Sequence, residues 1–99
     1  MRMLLKIKIP TEAGNRGVKD GSLPKILEAT VSKLKPEAAY FLADSGLRGA
    51  MIFFDLRNAA DIPAIVEPLF LGLGAEVELV PVMNTDDLKL GLGAAIKAM

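Results

Sequence analysis

The chain has 99 residues, room for one domain spanning 1–99 and not for a second core. Twelve Lys and Arg balance twelve Asp and Glu, so the excess positive field that nucleic acid or an anionic membrane requires is missing, and one Tyr, four Phe and no Trp make a poor base-stacking platform. Cysteine and histidine are absent, which excludes disulfides, thiol nucleophiles, Cys/His zinc sites and Ser-His triads; neither metal nor cofactor is expected.

The opening MRMLLKIKIP is too short and too alternating for a signal peptide. No apolar run approaches the roughly 18 residues of a membrane span, so the expected location is the cytoplasm. From Met3 to Ile9 the pattern has period two: Met3, Leu5, Ile7 and Ile9 on one face, Leu4, Lys6 and Lys8 on the other. That is a half-buried strand, ended by Pro10. The stretch EAGNRGVKDGSLPK, Glu12 to Lys25, follows, and its glycines and cations have the composition of a phosphate-cradling loop. The P-loop spacing fails, because Gly17 precedes Val18 and Gly21 precedes Ser22. Asp20 beside the next helix start would also repel a phosphate. Two readings stay open: a glycine-rich connection over a pocket mouth, or a ligand lid using Asn15, Arg16 and Lys19.

Ser22 is a suitable N-cap, and Leu23, Ile26, Leu27, Thr30, Val31 and Leu34 form a helical stripe that Pro36 stops. Glu37 to Asp44 and Arg48 to Leu56 are strand-like runs joined by a turn short enough to require an antiparallel hairpin. Ile62, Ile65, Val66, Leu69, Phe70 and Leu73 mark a second helix, which Pro68 should kink or shorten and Gly74 should end. Ala75 to Met83 is a fourth strand. Asn84 caps a last helix striped by Leu88, Leu92, Ala95, Ile96 and Met99, in which Gly91 and Gly93 imply close packing on a neighbour.

The order β-α-β-β-α-β-α predicts an α+β fold of ferredoxin-like βαββαβ plan with an added C-terminal helix: a four-stranded antiparallel sheet, order 4-1-3-2, with helices on one face. Leu5, Ile7, Ile9, Phe41, Ile52, Phe54, Val77 and Leu79 are then the covered face. The other face carries Leu4, Tyr40, Leu42, Met51, Phe53, Val80 and Val82 among charged residues. So much apolar surface exceeds what a monomer ordinarily exposes. A homodimer packed sheet against sheet would cover it, with the last helix lying across the partner; alternatively that helix folds beneath its own sheet.

The element order, the length and the tail EVELVPVMNTDDLKLGL resemble small dimeric α+β-barrel proteins, a group with muconolactone isomerase-like and antibiotic-biosynthesis monooxygenase-like members. The resemblance implies a homodimer with a small organic ligand in a cavity between sheet and helices. It transfers no catalytic residue. Residue chemistry suggests Lys6, Lys8, Asn15, Arg16, Tyr40, Met51, Phe53 and Asp55 as cavity or rim candidates, with Lys6 or Lys8 facing Asp55 beside the Tyr40 phenol. Three functions follow: a binder of a small organic molecule; a cofactor-independent isomerase or monooxygenase using the Lys/Asp/Tyr group; or a structural, protein-interaction module.

Overall fold

The computed structural model describes residues 1–99. Its elements are β1 (Arg2–Ile9), α1 (Thr11–Asp20), α2 (Ser22–Leu34), β2 (Ala38–Asp44), β3 (Leu47–Asp55), a 3₁₀ turn (Ala59–Asp61), α3 (Ile62–Leu73), β4 (Glu76–Pro81) and α4 (Thr85–Ala98). The four strands form one antiparallel sheet in the order β2-β3-β1-β4, the expected ferredoxin-like arrangement. In β1 burial alternates residue by residue, as its period-two pattern requires. Ser45 and Gly46, both at positive φ (52° and 84°), join β2 to β3 in the two-residue turn whose twist suits a hairpin.

Helices α1, α2 and α3 cover the sheet face that carries Met3, Leu5, Ile7, Ile9, Ala50, Ile52 and Phe54. Leu5, Ile7, Ile52 and Leu69 have no accessible surface, so side chains fill the space between sheet and helices. Phe41 points toward the same side yet stays 56% exposed, contrary to its expected place in the core. Its strand is the sheet edge, and α2 does not extend over it.

The Glu12–Lys25 stretch is not a loop. Thr11–Asp20 is helical, and Gly21 in the left-handed conformation (φ 81°) breaks it from α2. The glycines that argued against a helix are what let it pack. Gly17 lies so close to α2 that a Cβ there would stand 2.8 Å from Leu23 Cβ, and Gly14 sits beneath the Arg48 side chain. Ser22 is not the N-cap of α2. Gly21 holds that position, and the Ser22 backbone N–H donates to Asp20 Oδ1 at 2.8 Å.

Pro68 neither stops nor shortens α3, which runs on to Leu73. Having no N–H, Pro68 cannot bond the carbonyl of Ala64; Lys33 Nζ of α2 donates to that oxygen instead, at 3.0 Å. Gly74 (φ 56°) closes the helix, with its own N–H bonded to Phe70 O and that of Ala75 to Leu69 O.

At the start of α4, Asn84 and Asp87 form the reciprocal capping box. Beyond it, every residue from Thr85 to Met99 is exposed. The helix projects from the β4 edge, and the chain's radius of gyration is 15.9 Å against about 13 Å for a compact domain of this size. It neither folds beneath its own sheet nor packs Gly91 or Gly93 on a neighbour in the chain: a Cβ at either would meet no atom within 4 Å. No helix is long and apolar enough to cross a membrane.

Candidate functional site

The uncovered sheet face is where side chains of mixed chemistry gather. Register follows from the hairpin and the β1 pairings: Tyr40 lies opposite Met51, Met51 opposite Lys6, and Lys6 opposite Glu78, in one row across the four strands. The adjoining rows are Leu42–Gly49–Lys8–Glu76 and Ala38–Phe53–Leu4–Val80. Leu4, Met51 and Phe53 are half-buried by their neighbours alone, whereas Tyr40 is 63% exposed.

The two lysines converge on one carboxylate, and it is Asp44 rather than Asp55. Lys6 Nζ lies 3.8 Å and Lys8 Nζ 3.9 Å from Asp44 Oδ2. Gly49 permits this. It sits in β3 between Lys8 and β2, and a Cβ there would stand 3.3 Å from Asp44 Cβ and 3.1 Å from the Ile7 carbonyl. Without that side chain the lysines reach over β3 to the hairpin end. Glu76 and Glu78, the direct cross-strand neighbours of Lys8 and Lys6, make no ion pair.

Asp55 lies at the opposite end of β3. It pairs in register with Arg2 and accepts a hydrogen bond from the Met1 α-amino group at 2.6 Å. That bond, and then the ammonium charge itself, hold the Asp55 carboxyl below its ordinary pKa. Beside it Arg2 bonds Glu37 and reaches Asp87 at the start of α4 at 3.3 Å. The Glu37 hydrogen bond and charge raise the guanidinium pKa further. This corner lines an open depression of about 800 Å³ with Pro81, Val82 and Met83. Arg2 belongs to the same alternating set as Leu4, Lys6 and Lys8; extending that count two residues toward the N-terminus would have found it.

Asn15 and Arg16 lie elsewhere. They are on α1, across the sheet from the lysines, where Asn15 Oδ1 accepts from Arg48 Nη1 at 3.1 Å. Arg16 lines a separate depression with Asp20, Ser22 and the end of α3. Of the eight sequence candidates the sheet thus collects Lys6, Lys8, Tyr40, Met51 and Phe53 in adjoining rows, sets Asp55 at their far corner, and leaves Asn15 and Arg16 out. Nowhere do three acidic side chains converge as a metal ion would need.

No family model and no curated protein matches the sequence. In structure the chain is similar to a formyltetrahydrofolate deformylase from Pseudomonas putida KT2440, with a TM-score of 0.55 and 13% identity over 83% of this chain. The match spans 29% of that protein's length. It shows an α+β, ferredoxin-like arrangement shared by the two chains, and the fold alone.

Proposed function

We propose that the chain works as a homodimer like the small dimeric α+β-barrel proteins, but with a small organic molecule held between its two uncovered sheet faces and not between sheet and helices, where side chains fill the space. One observation carries this reading. The face that no helix covers joins apolar side chains (Leu4, Met51, Phe53, Val80) to a half-shielded Lys6–Asp44–Lys8 group and a free phenol. Water exposure of that apolar surface is unfavourable in a monomer, and burying it is the ordinary driving force of association.

The charged group acquires a use in such an assembly. Exposed ion pairs contribute roughly 0–1 kcal/mol each, but sealing them from water strengthens every Coulomb interaction in the site. A ligand carboxylate or enolate competes with Asp44 for the two ammonium groups, and Tyr40 offers a donor to a second oxygen. The aromatic and thioether walls accept the ligand's apolar body.

Native mass spectrometry of the protein as purified tests this directly. The expected result is a dimer carrying extra mass, with Phe53→Glu abolishing the dimer and a Lys6→Met/Lys8→Met variant losing the extra mass but not the dimer. A monomer at micromolar concentration would overturn the reading.

The Lys6–Asp44 pair, on the same sheet face as Tyr40, also favours a second function, cofactor-independent proton transfer on an enolisable substrate. Its residues are then Asp44 and Lys6, not Asp55. Asp44→Asn and Tyr40→Phe should each abolish turnover in a dimer of unchanged size; undiminished turnover in both would exclude it.

A further inference from the structure

We infer that α4 is an exchanged arm: in the homodimer proposed above, on which this inference rests, α4 of each copy lies in an apolar groove between α2 and β2 of the other. The arm comes first. Leu88, Leu92, Ala95, Ile96 and Met99 recur at helical spacing on one side of α4, and Leu92, Ile96 and Met99 are 53%, 68% and 99% exposed. A helix of this length is marginal in water without a surface to pack on. Gly91 flanks the stripe and weakens the helix relative to alanine, with nothing in the chain to explain it, since a Cβ there meets no atom within 4 Å. A neighbouring surface pressed close at that point does explain it.

The receiving groove is the second observation. Leu23, Leu27 and Val31 of α2 and Phe41 of β2 line an open trough of about 530 Å³, rimmed by Glu28 and Ser32. Phe41 is the side chain that the fold aims at its core and leaves 56% exposed. Lys89 stands two turns before Ile96 on nearly the same side of the arm and has no ion pair in its own chain; Glu28 on the groove rim has none either. The two charges are complementary.

Topology brings these surfaces together only between copies. β2 and β4 are the opposite edges of the sheet. The capping box and the Arg2–Asp87 pair hold the start of α4 at the β4 edge, on the far side of the sheet from its own groove. A twofold axis running between the facing sheets along the strands places the β4 edge of one copy over the β2 edge of the other, so each arm reaches the partner's groove by passing round its β2 edge to the helix-covered side, where Phe41 points. Areas agree with this. Four strands about 4.8 Å apart and seven residues long present a footprint of roughly 450 Å² in projection. A helix about 21 Å long and about 10 Å wide, laid in a groove, adds roughly 200 Å² for the arm and as much for the groove, nearly doubling the footprint of each copy toward the large contact a stable dimer needs.

The chain's lack of cysteine makes the test clean. Two single-cysteine chains, Ser32→Cys in the groove and Leu92→Cys in the arm, are mixed and treated with a short bismaleimide, and the Leu92→Glu variant is titrated by sedimentation. Arm exchange predicts a cross-linked species of dimer mass in the mixture and in neither chain alone, and a dimer Kd raised at least about tenfold by Leu92→Glu, whose site contributes nothing to the fold of its own chain. A dimer that forms without the cross-link, with Kd unchanged by Leu92→Glu, would overturn the arm and leave the sheet pairing standing. A Ser32→Cys/Leu92→Cys chain that links to itself at high dilution would also overturn it. A protein that stays monomeric at every concentration would remove both readings.

Discussion

The contact between α1 and α2 makes Gly17→Ala a sharp test of the helical reading of Thr11–Asp20. At an open helical position, replacing glycine by alanine gains about 1 kcal/mol. At Gly17 the new Cβ would stand 2.8 Å from Leu23 Cβ and 3.2 Å from the Leu23 backbone nitrogen. Neither is the end of a flexible side chain, so one helix must shift, and overpacking of this kind costs about 1–3 kcal/mol. The balance is a net loss of about 1 kcal/mol, or roughly 4–8 °C in Tm for a domain of this size. Gly14→Ala is the control. Its Cβ would meet the Arg48 side chain, with the guanidinium Nη1 nearest at 2.6 Å. That side chain can swing away, and the Asn15 hydrogen bond it gives up roughly offsets the helical gain. Urea unfolding followed by far-UV circular dichroism, at one fixed protein concentration, measures both. Equal responses, or a Gly17→Ala protein more stable than the parent, would refute the close crossing of α1 on α2.

Other expectations follow from single contacts. Leu69→Ala empties a site with no accessible surface and should cost about 2–5 kcal/mol in the same urea assay. Pro68→Ala restores the N–H that Ala64 O lacks and should stabilise α3 by about 1 kcal/mol or more. In that background Lys33→Met should lose whatever effect it has in the parent, which a double-mutant cycle reads as coupling. Because the Asp55 pKa is lowered in the folded chain, its contribution is present above the unfolded carboxyl value, about 3.9, and is lost as pH falls through the folded one. Asp55→Asn should therefore lower the urea midpoint at pH 6, with a gap that closes toward pH 2; a gap independent of pH would refute the Met1 linkage.

Periodicity within one element was legible from residues alone. The alternation Met3–Ile9, the stripes of α2, α3 and α4, the hairpin turn, the Gly74 stop and the Asn84 cap all depend on neighbours a few positions away, and strand order follows from their succession. What failed were judgements that depend on a distant surface. Two glycines in TEAGNRGVKD read as loop by propensity, because the reason for them, Leu23 and the Arg48 side chain, lies on other elements. Asp44 displaced Asp55 as the lysines' partner because Gly49 leaves a gap in β3 that no residue count reveals. Phe41 has the parity of a core residue and the position of an edge residue, and only the reach of α2 decides between them. Lys33 bonding Ala64 O explains how α3 tolerates Pro68, although Lys33 and Ala64 are 31 positions apart in the chain. Local pattern determines which face of an element is apolar; what covers that face is a property of everything else packed around it.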